Sequence, residues 1–100
     1  MGKPRITVTL AGSESGPPQV RLYLNPEGRD LLVRELDRLD EQWDHMHLQP
    51  AEWTVDLPLR TTAYEPAAEE VVDDVKIMLR PDKWDADHFP HVLQDGVAYD

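Results

Sequence analysis

The sequence contains no cysteine. That excludes disulfide staples, a thiolate nucleophile and cysteine-built zinc sites. Nowhere do about eighteen apolar residues follow one another, so no segment reads as a membrane-spanning helix, and the N-terminal MGKPRITVTL lacks the apolar stretch of a secretory signal. The expectation is a soluble, cytoplasmic protein. Basic side chains are scarce, 10 against 20 acidic, for a formal net charge of -10. A duplex-binding surface needs a concentration of Lys and Arg that is missing here, and an anionic membrane would repel the chain. A nucleophile elbow, a phosphate loop, a dinucleotide fingerprint and an HExxH helix are likewise missing. These gaps predict a protein that is not an enzyme, carries no cofactor, and has neither nucleic acid nor membrane as its partner.

One hundred residues, 40% of them apolar, with a mean hydropathy of -0.58, make one small domain with a single core and some chain left outside it. The charge is uneven. Residues 1–34 carry a slight basic excess, and every stretch from Glu35 onward is acidic. Such a field favours a basic partner, chiefly by speeding encounter, and also serves solubility.

The stretch RITVTL (Arg5–Leu10) alternates strictly, placing Ile6, Val8 and Leu10 on one face and Thr7 and Thr9 on the other, which predicts a half-buried strand. AGSESGPP (Ala11–Pro18) reads as a long turn-rich link. QVRLYL (Gln19–Leu24) repeats the alternation, with Val20, Leu22 and Leu24 inward and Arg21 and Tyr23 outward. The pair predicts a hairpin. Asn25-Pro26 then marks a helix start, asparagine as N-cap and proline at the first helical position. Leu32, Leu36, Leu39 and Trp43 line one face of a four-turn helix, with Gly28 in its first turn costing about 1 kcal/mol relative to alanine.

Asp44–Gln49 alternates again, Met46 and Leu48 facing the core and His45 and His47 opposite, which predicts a third strand. Residues 50–70 hold three prolines and no clean period, a long connection with a turn or two of helix at Ala67–Glu70. VVDDVKIMLRP (Val71–Pro81) predicts a fourth strand. The expected architecture is therefore α+β: a four-stranded, mainly antiparallel sheet, β-β-α-β-β in sequence order, with one amphipathic helix packed on one face. Residues 1–81 form this domain and residues 82–100 an acidic C-terminal tail, either disordered or packed through Trp84, Phe89 and Val92. The uncovered face would carry Arg21, Tyr23, His45, His47, Lys76, Met78 and Arg80, and a homodimer through that face is one use for it.

His45 and His47, two apart on a strand, point the same way and suit a shared cation or a small ligand, with Asp44, Glu52, His88 or His91 as further ligands. A bare H-x-H pair is equally an ordinary polar face. His47 with Glu52 or Asp44 is the nearest approach to an acid/base dyad. Trp43 falls on the helix stripe and is expected in the core. Trp53 either clamps the long loop to the sheet edge, the favoured reading, or stands exposed as a binding anchor.

RLYLNPEG, a helix with the pattern LxxxLxxL, then DHMHL, PAEW and VKIMLRP together resemble the immunity protein 32 family of bacterial polymorphic-toxin systems, over roughly residues 19–81. The signature positions would be Asp44, His45, His47, Leu48, Glu52 and Trp53. Glycines follow the tryptophan in that pattern, whereas Thr54-Val55 stand here. The resemblance implies a cytoplasmic protein that binds and neutralises a cognate toxin. The acidic surface matches a basic toxin, with carboxylates placed where substrate phosphates would lie. The residues expected to bind it are Asp37, Asp40, Glu41 and Asp44 at the helix end, His45 and His47, and Glu52, Trp53 and Asp56 in the loop.

Overall fold

A computed structural model describes residues 2–13, 16–53 and 56–94. The Thr54-Val55 departure and the end of the tail, residues 95–100, lie outside the described residues. Strand β1 (Ile6–Ser13) pairs antiparallel with β2 (Gly16–Leu24), Ile6 opposite Leu24 and Val8 opposite Leu22. The hairpin is there, but its strands run on through most of the stretch read as a link, with a register shift between Ala11 and Ser13 that absorbs one residue.

Helix α1 (Pro26–Asp37) starts as its signals predict. Asn25 Oδ1 accepts from Gly28 N at 2.7 Å and from Arg5 N at 2.8 Å, while Asn25 Nδ2 donates to the Lys3 carbonyl. One side chain thus caps the helix and ties it to the start of β1. Gly28 is explained by the same junction, because a Cβ there would overlap the Arg5 carbonyl oxygen. The helix stops at Asp37, short of Trp43. Asp40 Oδ1 then accepts from Gln42 N and Trp43 N, folding the chain into a turn that carries Trp43 away from the helix stripe. Trp43 is 58% exposed and does not enter the core.

The expected single four-stranded sheet is not formed. Six strands make two three-stranded sheets, ordered β2-β1-β5 and β4-β3-β6. In the second sheet β3 (His45–Pro50) pairs parallel with β4 (Leu57–Leu59) and antiparallel with β6 (Val75–Met78). In the first, β5 (Glu70–Val72) pairs with β1, Val8 opposite Val72. The segment read as one strand, Val71–Pro81, is two. It breaks at Asp73-Asp74, where adjacent like charges favour solvent over a ladder and Asp74 accepts from Gln49 Nε2. The chain crosses there from one sheet to the other. The three-residue β4, a proline between two buried leucines, is too short to show a period.

Both sheets share one core. Ile6 and Val8 of β1, Leu32 of α1, Met46 and Leu48 of β3, and Leu57 and Leu59 of β4 pack together, with Leu31, Leu39, Val72, Val75 and Ile77 against them. Each such side chain contributes about 1.5–3 kcal/mol over leaving it exposed. The sheets also meet through backbone, Arg60 N donating to the Ile6 carbonyl at 2.8 Å. Because the core gathers under β1 and β3, the edge strand β2 is left outside it. Val20 is 69% exposed and Leu22 and Leu24 are exposed too, against the inward placement their alternation predicts. Past the domain, residues 82–94 are ordered: helix α2 (Asp82–His88) and a 3-10 turn, Pro90–Gln94. Trp84 of α2 takes the Arg80 guanidinium over its ring at 4.2 Å and stacks on His88, fastening this segment to the end of β6. No helix among the described residues is long and apolar enough to cross a membrane.

Candidate functional site

The residues singled out from the sequence fall into two sets, one at each end of β3. At its start, Asp37 and Glu41 are exposed carboxylates with no ion pair among the described residues. Asp40 is committed to its turn. Asp44 is held on both oxygens, Oδ1 at 2.9 Å from His45 Nδ1 and Oδ2 at 3.2 Å from Arg80 Nη1. The His45 hydrogen bond, aided by the Arg80 charge, outweighs partial burial and lowers the Asp44 pKa below the usual carboxylate value. At the other end, Glu52 and Trp53 are exposed, Trp53 by 60%, on a turn closed by Trp53 N donating to the Pro50 carbonyl. The favoured clamp role for Trp53 is therefore not taken. Asp56 is a structural acceptor, its Oδ2 3.0 Å from His47 N, which fixes the loop to β3.

The histidines behave as their period predicts: Met46 and Leu48 are buried, His45 is exposed and His47 half-buried. Their rings meet edge to face at 5.4 Å. Among the described residues no group of three or more His, Cys, Asp or Glu side chains is arranged to hold a metal ion. The single open face expected from Arg21 to Arg80 is not formed either, because Arg21 and Tyr23 lie on one sheet and His45, His47, Lys76 and Met78 on the other.

Arg21 and Tyr23 instead converge on a residue that the sequence does not single out. The Glu69 side chain is fully buried. Its Oε1 accepts from Tyr23 Oη at 2.8 Å, Thr9 Oγ1 at 3.1 Å and Arg21 Nη1 at 3.1 Å, and its Oε2 from the backbone N–H groups of Tyr64 and Glu65. Burial pushes the carboxyl pKa up, but these donors win and hold it down at about 2. The Tyr23 hydroxyl is correspondingly raised by its bond to the carboxylate. Tyr64 stacks on Tyr23 at 4.1 Å with the rings nearly parallel. Every oxygen lone pair of Glu69 is used inside the fold, so the cluster reads as the clasp fixing residues 64–69 to the sheet. Nothing in the AAEEVV run distinguishes Glu69 from Glu70, since its side-chain partners stand 46 to 60 residues away.

Between the sheets lies an open cleft of about 830 Å³ that borders Pro50, Ala51 and Glu52 on one side and the first residues of β1 on the other. A smaller hollow of about 240 Å³ is bordered by Glu41, Asp44 and Trp84. Exposed partner-type residues thus include Trp43, two residues from Glu41 in the chain, and Trp53, next to Glu52, together with an exposed apolar stripe on β2. No protein-family model, curated protein or solved structure matches the chain.

Proposed function

We propose that the protein is a non-enzymatic immunity protein that binds and neutralises a cognate, basic toxin in the cytoplasm. The observation that carries this reading is the pair of solvent-exposed tryptophans, 58% and 60% exposed, each within two residues along the chain of an exposed carboxylate with no ion pair among the described residues. A buried tryptophan would stabilise the fold, and two left in water stabilise nothing there. Exposed Trp flanked by charge is the composition of an interface hot spot, the ring supplying contact area and the carboxylate supplying orientation. Asp37, Glu41 and Glu52 keep their charge free for a cationic partner, and the net charge of -10 speeds its approach. Asp40, Asp44 and Asp56 serve by holding the two turns that present the tryptophans.

Co-expression with the product of an adjacent toxin gene tests this directly. Growth is expected to be rescued by the wild-type chain and lost when Trp43→Ala and Trp53→Ala are combined with Glu41→Lys and Glu52→Lys. A neighbouring product without toxicity, or rescue that survives all four changes in a folded variant, refutes the proposal.

One observation favours a second reading, self-association. Strand β2 is an edge strand, and Val20, Leu22 and Leu24 leave an apolar stripe along it. Pro17 and Pro18 blunt the first part of that edge, leaving residues 20–24 open for antiparallel pairing with a second copy. Light scattering that gives a monomer at high micromolar concentration removes this reading.

A further inference from the structure

The cleft between the sheets runs against the charge of the whole molecule. Its lining includes Lys3, Arg5 and Arg60 together with the hydroxyls of Thr7, Thr61 and Thr62, and Glu52 is its single acidic member. None of these three cations has an ion pair among the described residues; Arg34, Lys76 and Lys83 have none either, but Lys3, Arg5 and Arg60 are the three that line one cleft. In a chain with twice as many acids as bases, three bases against one carboxylate in the lining of a single cleft is unexpected. Their closeness is built in by the backbone. Arg60 N donates to the carbonyl of Ile6, the residue after Arg5, and Arg5 is itself held by Asn25 through both its N–H and its carbonyl. The backbones that carry the two arginines are therefore anchored close together at one wall of the cleft.

A second observation points the same way. Thr7 is 1% exposed, lines the cleft, and its hydroxyl has no hydrogen-bond partner among the described residues. Buried hydroxyls are ordinarily satisfied, and an orphan at the floor of a basic cleft marks a place for an acceptor from outside. The remaining walls are mainly apolar, three prolines, Leu59 and two alanines together with Tyr64. The volume falls in the range of about 300–1,000 Å³ usual for small-molecule sites, so the occupant carries more than the anion alone.

We propose that this cleft binds a small phosphate-bearing molecule, the phosphoryl oxygens meeting Arg5, Arg60 and Lys3 and accepting from the Thr7 hydroxyl, with the apolar body against the prolines. Two guanidinium forks and an ammonium match a dianion better than a single carboxylate does. The cleft shares Glu52 with the proposed toxin-binding surface, but Asp37, Glu41, His45 and His47 do not line it, and the proposal stands whether or not a toxin is the partner.

The test is an NMR titration of the full chain with inorganic phosphate and with phenyl phosphate, at ionic strength matched with chloride. Saturable shifts confined to the amides of Thr7 and residues 60–64 are expected, with phenyl phosphate binding more tightly than phosphate. The Arg5→Gln/Arg60→Gln double variant should weaken binding at least about tenfold, and Thr7→Val several-fold, each with an unchanged far-UV spectrum. Shifts that do not saturate, that spread equally to Arg34, Lys76 and Lys83, or that persist in the double variant overturn the proposal. So does malonate binding as tightly as phenyl phosphate, which would make the site one for dicarboxylates. If a variant fails to fold, the localisation of shifts on the wild-type chain decides alone.

Discussion

Replacing Gly28 by alanine sets two physical effects against each other. Helix propensity alone predicts that Gly28→Ala stabilises α1 by about 0.8–1 kcal/mol, because glycine pays the larger entropy cost of becoming helical. The tertiary structure predicts the opposite sign. A Cβ at this position would overlap the Arg5 carbonyl oxygen and come within 3.0 Å of the Arg5 carbonyl carbon and of Asn25 Oδ1. The first two are backbone atoms of Arg5, the residue before β1, and cannot swing aside as a side chain can. Relief requires α1 to move off β1, and that movement stretches the Asn25 bonds to Arg5 N and Gly28 N together. Overpacking of this kind costs about 1–3 kcal/mol, and weakening the N-cap adds about 1 kcal/mol. Against the propensity gain, the net expectation is a loss of about 1–3 kcal/mol, or a fall in Tm of the order of 5–15 °C for a domain of this size. Urea denaturation followed by far-UV circular dichroism reads this as a lower midpoint at unchanged slope. Gly12→Ala is the internal control, since nothing lies within 4 Å of a Cβ there, and it should change stability by less than about 0.5 kcal/mol. A Gly28→Ala variant as stable as the wild type, or more so, refutes the close approach of α1 to β1.

Three further outcomes follow from the packing and the charges. The Glu69 carboxyl is held at about 2 in the fold against an ordinary value of 4.5, so its contribution is fully present above pH 4.5 and is lost as the pH falls through about 2. An acid titration of stability should show that loss in the wild type and a flatter curve in Glu69→Gln, which should also be less stable at pH 7; parallel curves would sink the clasp. Leu48→Ala empties the centre of the core shared by both sheets and should cost about 2–5 kcal/mol by denaturant unfolding, with both sheets melting together; separate transitions would contradict a common core. Trp43→Ala and Trp53→Ala, by contrast, remove exposed rings and should leave the midpoint within about 0.5 kcal/mol of the wild type, so a large loss of stability in either would move that tryptophan from interface to fold.

The local features were legible because their causes lie within a few residues of one another. Alternation places Met46 and Leu48 inward and His45 and His47 outward, and Asn25-Pro26 starts the helix, as period and capping chemistry require. The absence of cysteine and the excess of acid likewise need no fold to be read. What the alternation of Val20, Leu22 and Leu24 does not contain is which strand lies at the edge, and there the apolar face went to solvent. Nor does VVDDVKIMLRP reveal that its two halves belong to different sheets, because that depends on β1 and β3 each lacking a neighbour. The helix stripe overran at Leu39 because the turn made by Asp40 competes with one more helical turn, and the side-chain acceptor won.

Sequence by itself determined the β1–β2 hairpin, the start of α1, strand β3 and the sign of the charge, since these are sums or short-range periods. Tertiary structure alone decided that the strands form two sheets around one core, that Glu69 rather than its neighbour is the clasp, and that Lys3, Arg5 and Arg60 gather in a basic cleft of an acidic protein. The physical reason is the same in each case. Pairing, burial and charge clustering are set by contacts between residues far apart in the chain, and no local pattern carries the identity of a distant partner.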